Sequence, residues 1–291
     1  MERTTLADLS VEVTTREGRN FIFLGKTKMS SGTVSKTLAT LALAWTTFMP
    51  VTDGIAATVN NNSCNQEWER VLRQFPRPQD RLREWSSLSA KCANSGIYES
   101  RLGTLYTIAH RFDEARRAVE AGLALNTSYR KELLSTLAGV DLSESKLDAA
   151  LATYQTIAKD YPDWFDGYSG IGTVEMLRGK FDEAVRYLNE ANKREKRAYT
   201  YRNLTLAYHQ LGKNEEATQS INEAYKLDKN IVADREVMVA AARSYAFLGK
   251  YKAADGFMKM LLEAKPEARN DPEVVQTINY VSKKLRETPN D

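Results

Sequence analysis

His110 and His209 are the only histidines among 291 residues, and Cys64 and Cys92 the only cysteines. These four side chains bound the chemistry open to the chain. An acyl-transfer triad needs a histidine beside its nucleophile, and a catalytic zinc needs three protein ligands gathered in space. His110 falls between two helical stretches and His209 on the face of a repeated helix. Each reads as an ordinary surface residue. The sequence holds no HExxH, no P-loop, no GxSxG and no glycine-rich dinucleotide fingerprint. "GYSGIGT" (167–173) carries three glycines, but it reads as helix interior, with Gly172 a packing site rather than part of a phosphate loop. The acid pairs Asp182–Glu183 and Glu215–Glu216 recur in phase with a repeat. They suit the first turn of a helix, where the dipole favours negative charge, and are not an acid–base dyad. The sequence therefore implies no catalytic residue, no metal and no cofactor.

Stepping outward, the cysteines gain a structural role. "CNQEWERVLRQF" (64–75) has helical periodicity, with Trp68, Val71, Leu72 and Phe75 on one side. "PRP" (76–78) breaks it, and "QDRLREWSSLSAKC" (79–92) resumes with Leu82, Trp85, Leu88 and Cys92. Two helices joined by a tight turn run antiparallel. The start of the first then lies beside the end of the second, which is where Cys64 and Cys92 sit. In an oxidising compartment they could pair; the alternative is two separate thiols.

The N-terminal segment fits such a compartment. Lys26, Lys28 and Lys36 precede the apolar run "LATLALAW" (38–45), followed by Pro50 and the small residues of "DGIAAT" (53–58). This is the order of a secretory signal, here spanning roughly 29–56 with a cut after Ala56. The apolar run is short for a membrane span. The expectation is an exported, periplasmic protein with no stable membrane insertion after cleavage. The alternatives are a cytoplasmic protein or one anchored through the apolar segment. Net charge is +3, and +2 without residues 1–56. Neither value marks nucleic acid as a partner.

From residue 96 one phrase recurs: "HRFDEARRAVEAG" (110–122), "SKLDAALATYQTI" (145–157), "GKFDEAVRYLNEA" (179–191), "GKNEEATQSINEA" (212–224) and "GKYKAADGFMKML" (249–261). Aligned on Ala115, Ala150, Ala184, Ala217 and Ala254, the steps are 35, 34, 33 and 37 residues. That period indicates stacked helix–turn–helix units. Twelve residues before each alanine stands a small residue, Gly103, Ala138, Gly172, Thr205 or Ala242, where two helices can approach closely. Four residues after it stands Val119, Tyr154, Leu188, Ile221 or Met258, bulky enough to fill the space between units. Gly179, Gly212 and Gly249 suit a left-handed turn after the first helix. Pro162 and Pro266 stop second helices.

These small, alanine and aromatic positions resemble the tetratricopeptide repeat (TPR) family over about 96–269. The resemblance implies an all-α, right-handed helical solenoid of about five repeats with helical caps. Residues 1–56 form an N-terminal extension and signal, 57–95 a capping hairpin, 96–269 the repeats, and 270–291 a capping helix and tail. It also implies a non-catalytic scaffold that holds a protein or peptide partner in a concave groove, within an envelope assembly, secretion or polysaccharide-export system. The alternative is a regulatory or accessory subunit of an enzyme. Offsets from the small site place Arg101, Thr104, Thr173, Met176, Tyr199, Arg202, Asn203, Leu206, His209, Arg243 and Phe247 on the groove. Arg202 and Asn203, with Arg243 one unit on, are similar to part of the carboxylate-gripping set of some TPR domains. The remaining positions of that set do not match.

Overall fold

The computed structural model describes residues 11–16, 19–24, 59–92, 95–125 and 127–288. Two short strands, β1 (Val11–Arg16) and β2 (Arg19–Leu24), pair antiparallel with Val13 opposite Ile22. The repeat pattern gives no expectation of a strand there, although Val11, Val13, Phe21 and Phe23 alternate in sequence as strand residues do. The apolar run 38–45 and the cut after Ala56 lie outside the described residues.

Among the described residues the remaining regular structure is helical. The chain divides into two compact units, the first ending at Pro162 and the second beginning at Asp163. The first unit opens with α1 (Val59–Gln74) and α2 (Pro78–Ser87), followed by α3 (Gly96–Ile108), α4 (Phe112–Ala124), α5 (Arg130–Ser143) and α6 (Leu147–Asp160). The second holds α7 (Phe165–Leu177), α8 (Phe181–Arg194), α9 (Ala198–Gln210), α10 (Asn214–Leu227), α11 (Arg235–Phe247), α12 (Tyr251–Ala264) and α13 (Pro272–Glu287). Short 3-10 turns, Lys229–Ala233 and Pro266–Asn270, precede α11 and α13. The first of them takes up the longer step before the last repeat. α2 stops at Ser87, sooner than the periodicity through Cys92 implies, and the chain reaches Cys92 through turns.

The repeat phase is built as the alanines require. Ala115, Ala150, Ala184, Ala217 and Ala254 are all fully buried, and so, within 1%, are Val119, Tyr154, Leu188, Ile221 and Met258. The small sites lie against these bulky ones. A Cβ on Gly172 would sit 2.7 Å from Leu188 Cγ, and one on Gly103 would sit 3.0 Å from Val119 Cγ2. The second helices are amphipathic. α8, for example, buries Ala184, Leu188 and Ala191 on one stripe, carries Asp182 and Glu183 in its first turn and ends on Lys193 and Arg194. That charge order follows the helix dipole. First helices are covered nearly all round, as α7 and α11 are.

The turn between the helices of each repeat is left-handed. Gly179, Gly212 and Gly249 have φ of 75°, 68° and 74°. The same place in the first two repeats is taken by His110 and Ser145, at 57° and 60°. Asp271 begins α13: its Oδ1 accepts from the Glu273 and Val274 amides, with Pro272 at the first helical position.

The capping hairpin has its own core. Cys64 and Cys92 are disulfide-bonded, with Cα atoms 5.6 Å apart, and both are fully buried. Trp68 meets Trp85 edge-on at 4.9 Å, and Trp85 stacks on Tyr98 at 5.3 Å. Because Trp85 Nε1 donates to the Tyr98 carbonyl (3.2 Å), the same ring fastens the hairpin to α3.

Candidate functional site

In the second unit α7, α9, α11 and α13 pack side by side, each against the next. The face they form carries most of the side chains expected to meet a partner. Eight of the eleven expected residues are nevertheless buried: Arg101, Thr104, Thr173, Met176, Tyr199, Arg202, Asn203 and Leu206. Their polar atoms serve the stack itself. Tyr199 OH donates to Asp166 Oδ1 at 3.5 Å, and Asn203 Nδ2 to Thr173 Oγ1 at 3.2 Å, so α9 is tied to α7. Thr173 and Thr104 donate back to the carbonyls of Ser169 and Ser100, four residues earlier.

Arg202 is the centre of this network. Its Nε donates to Asp234 Oδ2 (2.5 Å), its Nη1 to Asn203 Oδ1 (2.9 Å), and its Nη2 lies 3.6 Å from Glu236 Oε2. Burial opposes the guanidinium charge, but Asp234 and Glu236 outweigh it and hold the Arg202 pKa above its ordinary value. Glu236 is pushed above the usual carboxylate range by burial, with Arg202 pulling the other way. A guanidinium so engaged is not presented to an incoming carboxylate. Arg243 is likewise committed: its Nη1 donates to Glu273 Oε1 (2.7 Å) and its Nε to Thr277 Oγ1 (3.1 Å). The partial carboxylate grip suggested by Arg202, Asn203 and Arg243 is thus filled by acids of the chain's own next helices.

His209 is half-buried rather than a plain surface residue. Its Nδ1 lies 3.0 Å from Ser244 Oγ, and burial lowers its pKa, with Arg243 adding to the effect. Phe247 is the exception on this face. It ends α11 and is 77% exposed.

In the first unit Arg101 belongs to the cap. Its guanidinium lies over the rings of Trp68 (5.1 Å) and Trp85 (5.8 Å), and its Nη2 donates to Asn65 Oδ1 at 2.7 Å. Such a stacked cation adds about 0.5–2 kcal/mol to an aromatic core. Periodicity identifies Trp68 and Trp85 as core, but carries no sign that an arginine from the first repeat closes over them. Arg116 on α4 similarly reaches α5, donating to Asp141 Oδ1 at 2.6 Å and to Glu144. Among the described residues, no group of three or more His, Cys, Asp or Glu is placed to hold a metal ion, and no helix is long and apolar enough to cross a membrane.

A chain in the crystal structure of the APC/C hetero-tetramer Cut9–Hcn1 superposes with a TM-score of 0.61 at 15% identity, over 77% of this chain. The C-terminal part of a TPR repeat-containing protein from Cytophaga hutchinsonii matches at 0.51 and 16% identity, over 79% of this chain and 89% of its own. This chain has the TPR fold. The pilF protein of Pseudomonas aeruginosa shares it, with a TM-score of 0.57 at 12% identity over 75% of this chain and 98% of that one. Only 45% of the Cut9–Hcn1 chain is covered, so this chain spans less than half of that relative's length. A family model for the coatomer epsilon subunit matches residues 109–242, less than half of the chain. No curated protein sequence matches it. The fold is one of stacked helix–turn–helix repeats.

Proposed function

We propose that the chain is a non-catalytic scaffold that binds a protein partner on its first-helix face, in the periplasm, as part of an envelope assembly or export system. One observation carries the reading. The charged side chains of that face are paired within the stack, while a large aromatic side chain, Phe247, is left in solvent. Burying an exposed aromatic is a common source of association energy. Export is supported by the lysine, apolar and small-residue order of residues 26–57 and by the cystine in the cap, since disulfides persist in oxidising compartments.

The test uses a C-terminally tagged chain in the native host. A mature N-terminus near Ala57 in a periplasmic fraction, with a protein partner retained through in vivo crosslinking, is the expected result. Retention of Met1 or Met29 would overturn export. Exclusive crosslinking to soluble cytoplasmic enzymes would favour the regulatory-subunit alternative.

A further inference from the structure

α9 and α11 are tied to each other at two points. Arg202 reaches Asp234 and Glu236 at the start of α11. Further along α9, the Nδ1 of His209 lies 3.0 Å from Ser244 Oγ, near the end of α11. The contacts advance along both helices together, so the two run parallel with a tie at each end. The ties differ in chemistry. A guanidinium keeps its charge at every physiological pH, so the Arg202 tie does not answer to acid. An imidazole changes charge within that range. The Ser244 hydroxyl can donate to a neutral ring or accept from a protonated one, so the hydrogen bond survives in either state. What changes is the charge beside it.

Arg243, the residue before Ser244, already places a cation there. It donates to Glu273 Oε1 at 2.7 Å and to Thr277 Oγ1 at 3.1 Å, and so fastens α13 to α11. Glu273, an acid whose charge acts on His209, gives its other oxygen to Arg235 at 2.8 Å. The remaining neighbours of α9 offer no free carboxylate. The buried faces of α8 and α10 carry no charge. The buried acids of α7 are Asp166, which accepts from Tyr199 at the opposite end of α9, and Glu175, which Arg178 and Lys180 engage. A protonated His209 is therefore a second, half-buried cation beside Arg243, with no carboxylate of its own.

We propose that His209 is an acid-operated catch on the last repeat. On taking a proton from solvent it repels Arg243, and the C-terminal half of α11 loosens together with the capping helix α13, while the start of α11 stays fastened through Arg202. The catch needs no partner and does not depend on the scaffold reading. Its sign follows from the surroundings of the ring. Burial and Arg243 hold the His209 pKa below its ordinary 6.5, against a smaller pull from Glu273. A base whose folded value is depressed contributes fully above its unfolded value, and that contribution is lost as pH falls through it. Opening therefore begins in mild acid.

Hydrogen exchange on the full chain, corrected for the intrinsic effect of pH, reads the catch directly. Between about pH 7.5 and about pH 5, protection over residues 241–247 and 272–287 should fall about tenfold or more and return on neutralisation, while residues 198–204 stay protected. His209→Gln keeps a hydrogen-bonding side chain that cannot charge, so its protection should be the same at both pH values. The His209 imidazole signal, isolated by NMR in a His110→Asn background, should titrate below 6.5 and move up when Arg243→Met is added. An equal loss of protection in His209→Gln would assign the acid response to another group and overturn the catch. So would constant protection in the wild type. A ring that titrates above 6.5 would overturn it too, because the C-terminal end of α9, which favours a cation, would then govern the charge. If His209→Gln failed to fold, a titration unmoved by Arg243→Met would decide against the catch.

Discussion

Asp234 divides its carboxylate between two tasks: Oδ1 accepts from the Val237 amide and caps α11, while Oδ2 accepts from Arg202 of the preceding repeat. One side chain thus both starts a helix and docks it. The Arg202 side chain is 3% exposed and that of Asp234 15%, so the pair is shielded from water. Replacing Arg202 by Met keeps most of the volume and leaves Asp234 and Glu236 without their shared cation. Removing one partner of a buried pair costs about 3–5 kcal/mol. We expect about 3 kcal/mol in urea unfolding, because Asp234 keeps some solvent and its cap. Adding Asp234→Asn should recover part of the loss, and a change below about 1 kcal/mol would mean that the pair behaves as a surface one.

Glu236 gives a pH signature of the opposite kind to an ordinary salt-bridged acid. Burial raises its pKa above 4.5. A raised carboxylate favours the folded state fully only below its unfolded value, and that contribution is lost as pH climbs through the folded value. Glu236→Gln removes the titration. The variant should match the wild type near pH 4 and gain on it as pH rises towards 7. Loss of relative stability with rising pH would show that Arg202, rather than burial, governs this carboxyl.

The cystine predicts a local loss. Its half-cystines are 28 residues apart, a loop for which chain entropy gives roughly 3–4 kcal/mol. Cys64→Ser/Cys92→Ser should lower the unfolding midpoint followed by tryptophan emission, since Trp68 and Trp85 lie in the same core cluster. Helical circular dichroism at low denaturant should change little, because the repeats have cores of their own. An unmoved tryptophan midpoint would assign cap stability to the Arg101–Trp68–Trp85 stack instead.

How far the sequence revealed this arrangement depends on the range of the interaction. Ala184, Gly172 and Leu188 were readable because they meet within one repeat and recur with its period. Cys64 and Cys92 were readable because one proline turn brings them together. Arg202 lies on a first helix, and its guanidinium is engaged by Asp234 and Asn203. Asp234 shows the signature of a helix cap, yet nothing in a single chain says that its second oxygen belongs to an arginine 32 residues earlier. Arg101 fell to the same limit: its stacking partners Trp68 and Trp85 belong to a cap with no repeat phase. The exposure of Phe247 at the end of α11 follows from packing, which periodicity does not encode.

The left-handed turns allow the same chemical change to be predicted with opposite signs. At Gly212 and Gly249 an added Cβ would meet nothing within 4 Å, yet φ is 68° and 74°. Only backbone strain therefore opposes alanine there, and each Gly→Ala should cost about 1 kcal/mol. Gly256 also has open space around its Cβ, but lies inside α12 without a positive φ. Gly256→Ala should raise stability by about 0.5–1 kcal/mol through helix propensity and the unfolded chain. Ser145 bears the strain that the later repeats avoid, at φ of 60°. Ser145→Gly should relieve it and gain up to about 1 kcal/mol. His110→Gly should gain less, because the imidazole also packs edge-on against Phe112 at 5.8 Å. Urea unfolding of the four single variants and His110→Gly checks the whole set. If Gly212→Ala and Gly256→Ala shifted stability in the same direction, the turn position would owe its glycine to something other than backbone conformation.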